Sequence, residues 1–269
     1  MTAKEDMDER TPMNDGNETV AAQPPSGTAP AVKRGCDLFL AGLMLILAMP
    51  VIAICAGLVR LSSRGPALYS QTRLGCFGRP FRIWKLRTMT HDCEKASGAR
   101  WATRNDPRVT MIGKFLRMSH LDELPQLWNV LRGDMSLVGP RPERPEFIPL
   151  LEVSIPHYRS RMAIRPGVTG LAQVYLPPDT GIPSVRRKLQ YDLYYIRRMG
   201  LFLDLRLMLA TGLQAIGAPC RFVQRLLLLP KTSHVELLTP RVAPPTSERA
   251  GPHENIDSIV FESRSELSA

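Results

Sequence analysis

The sequence predicts an α+β protein, mainly helical, in which one apolar helix seats a domain of helices and short strands at a membrane. Three observations carry that expectation. An uncharged run, Leu38–Val59, stands early in the chain. Apolar residues recur at helical spacing through Ser184–Met199 and Leu201–Ile216. Between them, residues 62–175 break into short segments bounded by Gly and Pro, the pattern of brief strands and turns. At 269 residues and 44% hydrophobic content the chain has material for one sizeable core.

Composition divides the chain. Residues 1–31 are polar and rich in Pro, Gly and Thr, with no cleavable signal peptide, and read as a disordered tail. Residues 32–61 hold the membrane helix and 62–217 the globular domain. Residues 218–269 read as a mostly disordered C-terminal tail after a basic and apolar patch at Arg221–Leu229. The net charge of +10 calls for an anionic partner: nucleic acid, a phosphate-bearing substrate or an anionic membrane face. No helix-turn-helix, zinc spacing or RNP-like strand is present, so nucleic acid is not expected. Five scattered cysteines without a CxxC pair exclude a disulfide framework or zinc site and point to a reducing compartment.

The run Leu38–Val59 would form a helix of about 33 Å, enough to cross a bilayer. Pro50 lies at its middle and removes one backbone hydrogen bond there. Basic residues flank both ends: Lys33 and Arg34 before, Arg60, Arg64 and Arg73 after. An ordinary spanning anchor and a re-entrant helix that bends at Met49–Pro50 and leaves by the face it entered both fit. Next, Ala67–Gln71 is a candidate strand, and Pro80–Met89 alternates apolar with basic residues. Its Lys85 and Arg87 suit either a solvated basic face or a phosphate. His91–Thr103 reads as polar loop or short helix, and Val109–Met118 as a short helix carrying Arg117. Later, Leu171–Tyr175 is expected to be a strand, Ser184 to cap a helix, and Leu201–Ile216 to be an apolar helix, either core or membrane-interfacial.

The chemistry concentrates in Arg117–Pro142. Ser119 reads as an N-cap, with Leu121, Leu124, Trp128 and Leu131 on one helical face and Asp122 and Glu123 in the first turn. Acidic residues favour that position for capping alone. The Gly/Pro-rich turn that follows ends on Arg141, fixed between two prolines, and a guanidinium held so rigidly can grip phosphate bidentately. Adjacent carboxylates beside such a grip could hold Mg²⁺, and one could attack phosphorus. Helix neighbours point about 100° apart, so unequal roles are expected of them.

Several stretches resemble one family: KR-x-x-D at Lys33–Asp37, the apolar run with Pro50, GP-x₄-Q-x-R-x-G from Gly65 to Gly75, KLRTM at Lys85–Met89 and NDPRVT-x-x-GKFLR at Asn105–Arg117. LDELPQLWNVLRGDMSLVGPRP at Leu121–Pro142, RPGVTG at Arg165–Gly170 and D-x-x-Y at Asp192–Tyr195 continue the match in collinear order. Together they resemble the bacterial sugar transferases, the monotopic polyprenyl-phosphate phosphoglycosyl transferases, in their minimal form.

The resemblance implies a re-entrant helix broken at Pro50 and an active site on the cytoplasmic face of the bacterial inner membrane. It implies that Asp122 attacks the β-phosphate of a nucleotide sugar, with UDP as the favoured carrier, and forms a phosphosugar-aspartyl intermediate. Glu123 would assist Mg²⁺ binding, with both carboxylates as metal ligands. Polyprenyl phosphate would then take the sugar phosphate, initiating exopolysaccharide, O-antigen or glycoprotein glycan assembly. Arg141 matches the phosphate-binding arginine, and Lys85, Arg87 and Arg117 are basic positions in matching motifs. Expected partners are therefore the nucleotide sugar, polyprenyl phosphate and inner-leaflet lipids, with a homo-oligomer left open. Two other readings stand beside it: a non-catalytic single-span protein whose basic cytosolic domain binds anionic lipid or nucleic acid, and an inactive scaffold of the same family.

Overall fold

The computed structural model describes residues 29–94, 98 and 106–238. Nearly all of the expected N-terminal tail, the chain beyond 238 and most of His91–Thr103 lie outside the described residues. Helix α1 spans Ala29–Ser62 and so begins ahead of the predicted boundary at 32. At 1.5 Å per residue it is about 50 Å long, against about 30 Å of bilayer hydrocarbon. It is the one described helix long and apolar enough to cross a membrane. The helix runs through Pro50, where the bend is expected, with helical residues on both sides of it. Proline removes a single N–H from the ladder, and the turns on either side keep theirs.

One stripe of α1 is buried: Asp37, Ala41, Ala48, Cys55 and Val59, at spacings of four and seven. Small residues let α1 lie close against the domain, where it meets the elements described below. The opposite face, with Phe39, Ile46, Leu47 and Ile54, is largely exposed. Polar bonds fasten the first turns. Arg34 donates to the carbonyls of Val130 at 2.8 Å and Met135 at 3.3 Å. Asp37 accepts from the Ser136 hydroxyl at 2.7 Å and the Leu137 amide at 3.3 Å. Lys33 pairs with Asp204 at 2.6 Å.

The far end of α1 is fastened by Arg87. Its guanidinium donates to the carbonyls of Ser63 at 2.7 Å and Arg64 at 2.6 Å and, at 3.4 Å, to that of Val59. The Ser63 and Arg64 carbonyls lie just past the end of α1, and a buried cation ties that exit to the domain. Arg87, expected as a phosphate-facing candidate, here turns its terminal nitrogens to these carbonyls and to the Ser63 hydroxyl at 3.0 Å, with a side chain only 5% exposed.

Strands β1 (Leu68–Leu74) and β2 (Pro80–Leu86) form an antiparallel hairpin that pairs Tyr69 with Lys85 and Gln71 with Ile83. Helix α2 (Met111–Met118) follows, N-capped by the Thr110 hydroxyl. A Cβ on Gly113 would stand 1.9 Å from the Thr88 carbonyl oxygen, so only glycine lets α2 approach β2's exit this closely. Helix α3 (Gln126–Arg132) ends on Gly133 in the left-handed conformation, φ 94°. The buried Asn129 of α3 accepts from the Trp84 amide at 3.1 Å and donates to the Arg82 carbonyl at 2.7 Å, so it locks α3 to β2.

Strands β3 (Ser136–Val138) and β4 (Gly167–Thr169) pair in parallel. Between them come α4 (Ile148–Ser154) and a 3-10 stretch, Tyr158–Ala163. Helices α5 (Leu171–Tyr175), α6 (Ile182–Arg198) and α7 (Leu201–Ala215) complete the domain. The main core gathers Leu127, Val130, Met135, Val138, Leu171, Tyr195 and Leu207. A second cluster packs Leu151, Ile155 and Tyr158 against Leu189 and Ile196 of α6.

Four expectations are corrected here. Leu171–Tyr175 is a helix and the strand lies just before it, since a five-residue apolar run carries no period of its own. Ser184 lies inside α6, where its hydroxyl donates back to the Gly181 carbonyl at 2.7 Å. Ser119 closes α2 instead of opening the next helix, and its hydroxyl donates to the Phe115 carbonyl at 3.0 Å. The first part of the expected C-terminal tail, up to residue 238, is folded as α8 (Cys220–Leu226) and α9 (Thr232–Leu238), with Val223 and Val235 fully buried in the main core.

Replacing Arg87 by Met strands these carbonyls, which should cost about 2–4 kcal/mol. The expected result is a clear fall in the thermal midpoint of the detergent-solubilised chain, whereas an unchanged midpoint would refute the anchoring role.

Candidate active site

Asp122 and Glu123 occupy a 3-10 turn, Leu121–Glu123, between α2 and α3. His120 enters that turn in the left-handed region, φ 56°. Pro125 then leads directly into α3. The two acids therefore do not sit in the first turn of one long helix, and the predicted apolar face is displaced. Leu127 and Val130 point inward while Trp128 is half exposed. At three residues per 3-10 turn, successive side chains on this turn leave the backbone in different directions.

Glu123 is clamped by two cations. Lys85 Nζ donates to its Oε1 at 2.8 Å, while Arg141 reaches Oε1 at 2.5 Å and Oε2 at 3.3 Å in a bidentate fork. Burial alone would favour the neutral acid, but Arg141 and Lys85 together override it and hold Glu123 well below the usual carboxylate range. Burial lowers Lys85, which Glu123 opposes, and the pull of Glu123 raises Arg141.

Asp122 is different. It is 7% exposed, and no described residue donates a hydrogen bond to its carboxylate or pairs with it. Burial and then the adjacent charge of Glu123 push its pKa upward, against the pull of Lys85, Arg141 and Arg117. Arg117 lies close enough to act on Asp122 by charge, while its Nε donates to the Thr88 hydroxyl at 2.8 Å. A buried, uncommitted carboxylate ringed by three cations is poised for an incoming electrophile that itself carries negative charge.

The backbone around Arg141 is pinned at three successive carbonyls. Pro140 accepts from the Gly167 amide at 2.9 Å, Arg141 from Arg161 at 2.9 Å, and Pro142 from Arg73 at 3.3 Å. A Cβ on Gly167 would fall 2.0 Å from the Gly139 amide nitrogen, so these two glycines set how near the RPGVTG and GPRP segments can come. Arg161 is itself buried, paired with Asp192 at 2.7 Å and donating to the Tyr158 hydroxyl at 2.7 Å.

The structure thus brings together Asp122, Glu123, Lys85, Arg141 and Arg117, and places Arg87 elsewhere. Residue-level reading missed Arg161, Arg73 and Asn129 as supports. Nothing in local periodicity marks them, because each acts across at least 20 residues of sequence. Among the described residues no group of three or more metal-ligating side chains occurs. The donor set still fits Mg²⁺ in one manner: that ion often takes one or two carboxylates and completes its shell from substrate phosphates and water, and the Asp122 oxygens are uncommitted.

A sequence profile of the family described as bacterial sugar transferase matches residues 28–218. The UDP-N-acetylgalactosamine-undecaprenyl-phosphate N-acetylgalactosaminephosphotransferase of Aeromonas hydrophila is 41% identical over 187 residues, 70% of this chain and 44% of that protein. The UDP-glucose:undecaprenyl-phosphate glucose-1-phosphate transferase of Caulobacter vibrioides is 44% identical over 194 residues, 70% of this chain and 72% of that protein. An exopolysaccharide production protein of Rhizobium leguminosarum bv. phaseoli is 40% identical over 185 residues and is matched over 92% of its length. This chain therefore spans less than half of the Aeromonas relative and nearly all of the Rhizobium one.

Carboxyl ¹³C titration should place Asp122 above the ordinary value of 3.8. Glu123→Gln removes a like charge and leaves Lys85 and Arg141 uncompensated, so the Asp122 titration should move to lower pH. An upward move would contradict the clamp.

Proposed function

We infer the activity from one premise: the chain belongs to the bacterial sugar transferase family. It transfers a sugar 1-phosphate from a UDP-sugar to undecaprenyl phosphate, the reaction class named for the Aeromonas and Caulobacter relatives. The Rhizobium relative's name favours exopolysaccharide assembly as the setting. The observation that carries this reading is the asymmetric dyad: Asp122 uncommitted, Glu123 held ionised by two cations.

An oxygen of ionised Asp122 attacks the β-phosphorus of the UDP-sugar. The bond to the bridging oxygen breaks, UMP leaves, and the sugar phosphate is held as an acyl phosphate. Lys85, Arg141 and Arg117 offset charge on the diphosphate as it enters a site that already holds two carboxylates. An oxygen of undecaprenyl phosphate then attacks the same phosphorus and releases Asp122. The pair Arg141–Glu123 has two tasks: it fixes the guanidinium for phosphate, and it places a carboxylate that can take a proton once the incoming phosphate competes for Arg141. Asp122, with Glu123 freed from one cation, would hold Mg²⁺, which supplies further neutralisation of the diphosphate.

We propose that α1 is monotopic, with the domain on the cytoplasmic face of the bacterial inner membrane. Both ends of α1 are bonded to one polar domain, through Lys33, Arg34 and Asp37 at one end and through Arg87 at the other. A domain of this charge stays in water, so both ends of α1 lie on its side of the bilayer. Exposed apolar residues extend the membrane face onto other helices. Met111, Phe115 and Met118 do so on α2, and Phe202, Leu205 and Leu209 on α7.

Asp122→Asn should abolish UMP release from UDP-sugars in the presence of undecaprenyl phosphate and Mg²⁺; turnover near wild type would sink the nucleophile assignment. Single cysteines placed near residues 30 and 64 should label from the same side of sealed vesicles, and labelling from opposite sides would restore a spanning helix.

A further inference from the structure

At the end of the hairpin far from Lys85, a cavity of about 590 Å³ opens between the first turns of α1, the hairpin tip, the end of α3 and the segment before β4. Lys85 stands five positions along β2 from Pro80 on the cavity wall, about 16 Å at strand rise, so the cavity is distinct from the dyad. Its volume lies within the range of small-molecule sites.

The walls carry Lys33, Arg34, Arg79 and Arg165 against two carboxylates, Asp37 and Asp134. Both acids are already engaged. Asp37 holds Lys33 at 3.6 Å together with the Ser136 hydroxyl and Leu137 amide. Asp134 faces Arg132 at 3.7 Å and accepts from Asn129 at 3.3 Å. Lys33 is further satisfied by Asp204, and Arg34 by backbone carbonyls.

Two cations remain. The Arg79 side chain has no hydrogen bond or ion pair among the described residues, and Arg165 gives only its Nε, to the Gly133 carbonyl at 3.0 Å. The terminal nitrogens of both guanidinia are therefore unclaimed among the described residues, at the wall of a cavity where cations outnumber carboxylates. Burial pushes the Cys76 thiol up while Arg165 and Arg79 draw it back, so both charges act on the same wall. Phe77, at φ 54° on the hairpin tip, holds an exposed ring at the rim.

We propose that this cavity is a second anion site, in which Arg79 and Arg165 grip a phosphate or diphosphate group. A guanidinium fork matches phosphate oxygens bidentately, and two forks on one cavity suit a polyanion better than a single carboxylate. The phosphate can arrive on a soluble ester or on a lipid headgroup, since α1 brings the bilayer near the same opening.

The full chain in phosphatidylcholine nanodiscs should bind inorganic diphosphate saturably by calorimetry, at least 10-fold more weakly in Arg79→Glu, and with an intermediate loss in Arg79→Lys, which keeps the charge without the fork. Arg79 makes no contact that folding needs, and the KM for UDP-sugar should not move. If the site takes a headgroup, the effect transfers to the lipid arm: adding phosphatidate to the nanodiscs raises the thermal midpoint of the wild type and not of Arg79→Glu. Indifference of Arg79→Glu in both arms overturns the proposal. So does diphosphate binding that vanishes with Arg141→Gln and survives Arg79→Glu, because it would place the anion at the dyad.

Discussion

Two cations meet on one buried carboxylate, and much of the molecule is arranged so that they can. Glu123 without Lys85 and Arg141 would be a largely desolvated charge with no partner, the costly case for an acid, whereas Arg141, about a third exposed, keeps part of its hydration. The arrangement demands that three chain segments arrive together. Lys85 comes on β2, held by Asn129 of α3. Glu123 comes on the 3-10 turn that leads into α3, and Arg141 on a turn whose carbonyls are pinned by Gly167, Arg161 and Arg73. Asp122 gains its character from this clamp. Its neighbour consumes the nearest donors, so Asp122 keeps its oxygens free and feels a like charge beside it.

Helix α1, long and apolar enough to cross a membrane, is also a wall of the domain. Its buried stripe uses Ala41 and Ala48 where side-chain volume would force the domain away. Its polar first turns hold β3 through Asp37, and β3 in turn delivers the chain to Arg141. Arg87 at the other end sits one residue beyond β2, which carries Lys85. Attachment to the bilayer and geometry of the dyad are thus mechanically linked through short paths of hydrogen bonds.

Charge is distributed with the same economy. The excess of basic residues does not form one undivided patch. Arg34, Arg87 and Arg161 are consumed by backbone carbonyls or buried acids, where they hold segments together. Lys85, Arg117 and Arg141 surround the dyad. Arg79 and Arg165 are left facing a separate cavity. A net charge of +10 therefore overstates how much positive surface is available to any single anionic partner.

The sequence by itself determined the apolar helix, the hairpin, the order of the helices and the family, because each is written in local periodicity, turn residues or contiguous motifs. It also placed Asp122, Glu123, Lys85, Arg87, Arg117 and Arg141 in one candidate set, through motif resemblance. Residue patterns alone left the two acids as a capping pair. The tertiary structure decided what those patterns could not. Arg87 and Lys85 stand two residues apart in one motif, yet one closes a helix end and the other reaches the dyad. Leu171–Tyr175 is too short to show a period, and packing against the core made it helical. Residues 218–238 read as tail because their few apolar side chains gain burial only from a core assembled by distant segments. The resemblance had given Asp122 and Glu123 different roles; what only the tertiary structure supplied is which carboxylate meets the two cations, since that depends on contacts made across 18 and 38 residues of chain, and no local pattern records them.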